Sequence, residues 1–313
     1  MSQQVSESHE VPNLPVVLLT GATGYVGGRL IPLLERQPVV LRCLARTPDK
    51  IRPVVRESTQ VVRGDVLDAP SLDEALYGVH TAYYLVHLMS NSTDFEKEDK
   101  QAATNFARAA MKAGVRRIIY LGGLGDDADP KLSPHLRSRH DVGQILRESG
   151  VETIEFRAGM IVGAGSLSYQ LMKSLTDRLP VMICPRWLTT ATQPIAVDDV
   201  LAYLLAAREL PVGDSRIFEI GGTEVMTYAD LIREYARQRG LRRWLIFVPI
   251  LTPYLSGLWL ALVTPAAYEV GRHLIEGLKN PTVVRDKNAL DFFPIRPLGV
   301  KEAIQRAIAN TNV

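Results

Sequence analysis

Residues 19–30 read LTGATGYVGGRL, with four glycines among eight positions, directly after an apolar run and before an amphipathic one. Glycine weakens strands and helices alike, so such a cluster marks a place where the backbone bends sharply or approaches something closely. Gly21, Gly24 and Gly27 follow the spacing G-x-x-G-x-x-G. Between a strand and a helix, the first permits a tight turn, the second lets a pyrophosphate reach the backbone, and the third lets helix and strand pack closely. The free N–H groups and positive dipole end at residues 24–28 then suit phosphate charge. Thr23, Tyr25 and Val26 complete the expected phosphate-holding turn.

Outward from this turn, short β-branched runs alternate with longer helical patterns. Strands are predicted at 16–20, 39–45, 59–64, 81–86, 116–122 and 152–157, and helices at 94–113 and 136–149. Several strands are apolar almost throughout, as strands buried on both faces must be, which predicts an α/β protein with a doubly wound, mostly parallel sheet. Past residue 158 the rhythm changes. PIAVDDVLAYLLAAREL (194–210) reads as a turn and then a helix, with Asp198 or Asp199 placed to take up free N–H groups at its start. RIFEIGG (216–222) reads as one more strand, and TYADLIREYARQRG (227–240) as a helix with a Thr227–Asp230 capping box and Gly240 at its end. The expected organisation is a loose tail over 1–14, a nucleotide-binding core over 15–165 and a smaller substrate region over 166–313, with segments near 194–220 rejoining the core.

The end of the second strand bears on which dinucleotide is held. An NAD site carries an acid about 20 positions beyond the glycines, for the ribose 2′-hydroxyl. Here LRCLARTPDK (41–50) offers Arg42 and Arg46 and no acid before Asp49. Arginine's planar fork suits a phosphate, so NADP is favoured over NAD, with Arg46 on the 2′-phosphate. Asp65 and Val66, in GDVLD, fall where adenine would be contacted, although Asp65 also fits a helix-capping acid. Leu85, Val86 and His87 end the fourth strand at the sheet's carboxyl edge and are expected to line the cofactor crevice. Arg157, Gly159 and Met160 are placed at the nicotinamide end.

Hydrophobic residues make up 46% of the 313 residues and charged ones 22%, which places the chain among globular rather than disordered proteins. The net charge of +2 comes without a long basic tract, so nucleic acid is excluded as the main partner. Cys43 and Cys184 lack the close spacing of a metal knuckle or redox motif, pointing to reduced thiols, no metal and a cytoplasmic setting. The opening MSQQVSESHEVPNLP contains Glu7 and Glu10 and lacks the form of an export signal.

With TGATGYVGGRL, RGDVLD, DKQAATNFARAAMKAGVRRIIYLGGLG, SRHDVGQILRESGVETIEFRAGMIVG and QPIAVDDV in place, the chain resembles an atypical short-chain dehydrogenase/reductase of the extended and NmrA-like kind, from about residue 15 onward. The resemblance implies a Rossmann fold and NAD(P) binding. Familiar members use Asn, Ser, Tyr and Lys, the Tyr passing a proton and the Lys lowering its pKa and holding the nicotinamide ribose. Carried over by position, Asp99 stands where Asn is expected and Gly122 and Gly123 occupy the Ser stretch. HLRSR puts His135 and Arg139 at the Tyr and Lys places. Arg139 suits ribose hydroxyls but stays protonated. His135, with a reference pKa of about 6.5, suits proton exchange, or stands as a solvated loop residue. His87, Tyr84 and Tyr120 are further candidates, and substrate is expected beside His135 and the 122–125 loop.

One stretch stands apart. WLIFVPILTPYLSGLWLALVTPAAY (244–268) carries no charge and follows Arg242 and Arg243. Its length would cross a bilayer, but Pro249, Pro253, Ser256 and Gly257 interrupt any continuous helix. It is therefore expected to be buried or to cover substrate, with peripheral contact to an inner membrane through residues 244–263 as the intermediate reading. These features predict an NADPH-dependent reductase of a small, apolar enone, quinone or isoprenoid-like substrate, as monomer or homodimer. A non-catalytic NAD(P)-binding sensor or assembly protein is the first alternative, and a sugar-nucleotide epimerase or dehydratase the second.

Overall fold

Runs such as VVLL and VLRCLA can be buried on both faces only inside a parallel sheet, and that is where they lie. The computed structural model describes residues 14–88, 94–248 and 277–311. Its strands β1 (Val16–Leu19), β2 (Val40–Ala45), β3 (Gln60–Arg63), β4 (Val79–Tyr84), β5 (Arg117–Gly123) and β6 (Glu152–Ala158) alternate with helices α1 (Tyr25–Leu34), α2 (Ala69–Leu76), α3 (Phe95–Lys112) and α4 (Pro134–Arg147). After the short β7 (Ile161–Val162) come α5 (Leu167–Arg178), β8 (Val181–Cys184), β9 (Ala191–Thr192), β10 (Ile195–Ala196), α6 (Val197–Ala206), β11 (Arg216–Ile220), β12 (Met226–Thr227), α7 (Tyr228–Gln238) and β13 (Trp244–Phe247). α8 (Ala289–Phe292) and α9 (Val300–Ala309) follow.

Seven strands form one sheet in the order β11-β6-β5-β4-β1-β2-β3, every neighbouring pair parallel. Strand order reverses between β1 and β4, so the loops leaving these two strands diverge and open a crevice at the carboxyl edge. One face is covered by α1 and α6 through Leu30, Leu34, Val200 and Leu204; the other by α2, α3 and α4 through Leu72, Phe106 and Leu146. A third cluster joins α5, α7 and α9 to β8 through Leu175, Met182, Leu231 and Ile304.

The strand at 216–220 joins the sheet beside β6 although residues 159–215 separate it in sequence from that strand's end. The Thr227–Asp230 capping box is present, and Gly240 takes a φ of +67°. Two expectations need correction. The carboxylates of Asp198 and Asp199 do not cap α6, whose N-cap is Ala196 with no side-chain bond. They hold the chain's end instead: Asp199 accepts from the Leu298 amide at 2.8 Å and Asp198 pairs with Arg306. The fourth strand also ends at Tyr84, leaving Leu85–His87 as irregular chain over the crevice. Of the apolar stretch, residues 249–268 lie outside the described residues. No helix among the described residues is long and apolar enough to cross a membrane.

Candidate functional site

At the crevice, Thr20 ties β1 to β4: its hydroxyl donates to the Tyr83 carbonyl at 2.9 Å and accepts from the Leu85 amide at 3.2 Å. Gly21 then turns with φ +69°, and a Cβ there would sit 2.7 Å from the Leu85 carbonyl carbon. Only glycine serves both needs, since the left-handed region is costly for other residues and the space is taken by backbone. At Gly27 a Cβ would lie 2.8 Å from the carbonyl carbon of Gly21, so α1 rests directly on the turn. Gly24 is the N-cap of α1, extended and without a side-chain bond to the helix amides. Thr23 and Gly24 are exposed. An uncapped, glycine-lined helix start with its dipole directed into the crevice fits a diphosphate.

The remaining cofactor candidates divide. Val26 packs partly buried against the core behind α1. Tyr25 turns its ring away from the turn, under Arg29 at 4.2 Å and against Gly165. Arg46 is exposed just past β2, and Arg63, which sequence reasoning passed over, is exposed on β3 opposite Ala45. Arg42 is turned elsewhere: it donates to Gln60 and to the carbonyls of Ala75 and Tyr77, bracing the sheet edge. Asp65 accepts from the Leu67 amide at 3.0 Å, a local turn bond, while Val66 is buried and its carbonyl is held by Asn105.

Three candidates named separately from sequence come together. His87 Nε2 lies 3.2 Å from His135 Nδ1, and His87 Nδ1 lies 3.4 Å from Asp99 Oδ2, an ion-pair distance without hydrogen-bond alignment. Asp99 also accepts from the Leu88 amide at 3.0 Å and from Ser138 Oγ at 2.8 Å. Burial works against the Asp99 carboxylate, but His87, Leu88 and Ser138 together hold its pKa below the usual range. Burial and then Arg139 push His87 down in spite of Asp99. The pair therefore rests as neutral His87 beside ionised Asp99. A proton on His87 Nδ1 faces Asp99, and His87 Nε2 accepts from His135.

Arg139 is buried beneath the ends of β4 and β5, donating to the carbonyls of Leu121 and Val86 and stacking 4.9 Å from the Tyr120 ring centroid. Tyr120 donates to the Arg139 carbonyl at 2.9 Å, and burial pushes its pKa up to about 12; Tyr84 is buried beside it and raised as well. Both tyrosines are packing residues rather than crevice acids. A Cβ at Gly123 would sit 2.8 Å from Leu136 and one at Gly122 would sit 3.1 Å from the Tyr120 ring, so the stretch expected to supply serine is closed on itself.

Arg157, expected at the nicotinamide end, is held in an ion network. It is 3% exposed and pairs with Glu155 and Asp127, both at 2.7 Å, while Arg147 takes the other oxygen of Glu155. Gly159 packs against Thr282, where a Cβ would sit 3.1 Å from Oγ1. Met160 lines a small apolar cavity of about 50 Å³, partly open to solvent, with Met172, Trp187, Tyr228, Ile232 and Leu278. Gly277, which precedes the wall residue Leu278, has its Cβ position 3.8 Å from His135 Cδ2, while neither histidine lines the cavity itself. Apart from Met160, the cavity wall falls inside the expected substrate region, but its residues were not named one by one because apolar residues at helical spacing look like any core; Ser138 was not named at all. Glu155, a carboxylate inside a buried strand, was the signal for the ion network.

A parallel sheet of this order, with a glycine-lined turn at its switch point, defines a dinucleotide-binding Rossmann protein. The chain belongs to the NAD(P)H-binding family, which it matches over residues 21–180, and is of the atypical short-chain dehydrogenase/reductase type. It is 28% identical over 266 residues to a ceramide reductase of Caulobacter vibrioides, covering 82% of each chain. It is 25% identical over 272 residues to the photosystem II assembly factor Ycf39 of Cyanophora paradoxa, covering 84% of this chain and 79% of that one. A Citrobacter sp. triphenylmethane reductase complexed with NADP(H) superposes with a TM-score of 0.74 at 16% identity, over 93% of this chain and 99% of that one.

Proposed function

We propose that the protein is an NADPH-dependent reductase of an apolar carbonyl compound, a ketone, enone or quinone. The observation that carries this reading is the line Asp99–His87–His135; an apolar cavity, whose wall residue Leu278 follows Gly277 next to His135, supports the substrate class. The turn at Gly21, Gly24 and Gly27 would hold the pyrophosphate through backbone amides, with Arg46 and Arg63 beside the 2′-phosphate. When bound, the reduced dinucleotide supplies a hydride to the electrophilic carbon. His135 gives a proton from Nε2 to the oxygen that receives the carbonyl electron pair, while its Nδ1–H donates to His87. Asp99, ionised, favours the protonated state of that line, and proton exchange with solvent restores it. Met160, Met172 and Leu278 exclude water and select an apolar substrate. The similarity to a ceramide reductase, a protein named for a lipid substrate, supports the same substrate class.

The test is NADPH oxidation followed by absorbance with a panel of ketones, enones and quinones. His135→Gln is expected to lower kcat by about 10²–10⁴-fold while leaving NADPH affinity within about twofold, as loss of a general acid should. Turnover unchanged in that variant would remove His135 from the chemistry. A second reading, a nucleotide-binding sensor or assembly protein, is favoured by the closed Gly122–Gly123 stretch and the inward Arg139, and by the likeness to an assembly factor. NADPH binding without turnover across the panel would decide for it.

A further inference from the structure

β8 and β13 pair in parallel as a two-stranded ribbon, Val181 opposite Trp244 and Ile183 opposite Ile246. Side chains alternate across a strand, so one face carries Met182, Cys184 and Leu245 and the other carries Val181, Ile183, Trp244 and Ile246. The first face packs into the third hydrophobic cluster, the one that also walls the apolar cavity through Leu175, Leu188 and Met172. The second face is apolar too, yet Val181 and Ile183 are each 49% exposed, Ile246 is 52% and Trp244 72%. A ribbon apolar on both faces, with one of them in water, marks a surface that meets something.

Charge indicates what it meets. From Arg178 to Ala196 and from Tyr235 to Val248 the chain carries six arginines and no acidic residue, with Asp177 and Glu234 just outside these bounds and Glu234 paired with Arg237, in a protein whose net charge is only +2. Arg242 lies exposed just before the amino end of β13 and Arg186 just past the carboxyl end of β8, with Arg239 exposed in the turn that enters the ribbon. Arg243 is spent on structure, donating to the carbonyls of Thr176 and Asp177. An aromatic and aliphatic face with exposed arginines beyond both ends, and no nearby carboxylate in either segment, matches an anionic lipid surface. Apolar groups enter the acyl boundary and guanidinium groups meet phosphate. A second copy of the same face would instead bring like charges together.

We propose that the β8–β13 ribbon docks the protein on anionic bilayers, so that the cavity behind it takes its apolar substrate from the membrane. The second half of this statement rests on the reductase reading; the docking itself does not. The test is co-sedimentation of the full chain with phosphatidylcholine vesicles, with and without phosphatidylglycerol, at low and high salt. Wild type is expected to sediment with the phosphatidylglycerol vesicles at low salt and to be released by high salt. The double variants Ile183→Glu/Ile246→Glu and Arg186→Gln/Arg242→Gln should each weaken vesicle partition by about tenfold or more while keeping NADPH affinity, which reports an intact fold. Wild type remaining in the supernatant overturns the proposal. So does isoleucine-variant binding equal to wild type, or a variant that dissociates a dimer while vesicle binding persists. Turnover of a detergent-dispersed ketone is read separately, so a failure of docking and a failure of the reductase assignment are distinguishable.

Discussion

Gly27 and Gly28 are neighbours in α1, and replacing each with alanine is expected to move stability in opposite directions. At Gly27 the new Cβ would sit 2.8 Å from the Gly21 carbonyl carbon and closer still to its oxygen, against ordinary contact at 3.4 Å or more. The obstacle is backbone, so the turn must shift by at least about 0.6 Å, an overpacking cost of about 1–3 kcal/mol. The same shift moves the amides that would hold the diphosphate. Losing one charge-assisted bond of about 1.5–3 kcal/mol weakens NADPH binding by about tenfold to a hundredfold. At Gly28 the Cβ would meet only Ala22 O, at 3.5 Å, an ordinary contact on an exposed helix face. There alanine contributes its helix propensity, about 0.5–1 kcal/mol of added stability. At about 2–4 °C per kcal/mol, thermal melts of the two variants should separate clearly on either side of wild type. NADPH titration should show weak binding for Gly27→Ala and wild-type binding for Gly28→Ala. A Gly27→Ala protein as stable as Gly28→Ala, with unchanged NADPH affinity, would refute the account of this turn.

Other outcomes follow from the same geometry. Arg46→Asp should cost NADPH about tenfold or more in affinity while sparing NADH, because only the 2′-phosphate needs the cation; equal losses for both nucleotides would remove that role. Gly143→Ala should destabilise by about 1–3 kcal/mol in urea unfolding, since its Cβ would lie 2.6 Å from Glu155 Cδ and that carboxylate is fixed by Arg147 and Arg157. A wild-type midpoint there would mean that the ion network yields freely. His87 titrates below the ordinary 6.5 because burial disfavours its charge. The unfolded chain therefore takes up a proton that the folded one refuses: stability is full above 6.5 and falls below it, by up to about 1.4 kcal/mol per pH unit. The urea midpoint should drop between pH 7.5 and 5.5 by more in wild type than in His87→Gln; an equal drop would count against a buried neutral His87.

The turn at 21–27 was legible because its glycines are a local code: strand, bend and helix start are adjacent in sequence, and backbone geometry alone demands the residues. The parallel sheet was legible from the alternation of apolar runs with helices. What sequence could not order was proximity across elements. His87, Asp99 and His135 were named one at a time, and only the adjacency of β4 and β5, with α3 packed on α4, brings them into one line. Arg157 was placed at the nicotinamide end, yet its side chain is buried and held by Glu155, two residues earlier on the same strand. Asp198 and Asp199 had the composition of a helix start, but residues about a hundred positions away claim them. For Asp198 a distant cation, and for Asp199 a distant backbone amide, outweighed a local capping propensity that is worth about 1 kcal/mol.

The account stands most directly on calorimetric titration of the purified full-length chain with NADPH and, separately, with NADH. One saturable site per chain is expected, tighter for NADPH and weakened in Gly27→Ala. Heats that never saturate with either nucleotide would contradict the assignment of residues 21–28 as a diphosphate cradle, and with it the reductase and sensor readings alike.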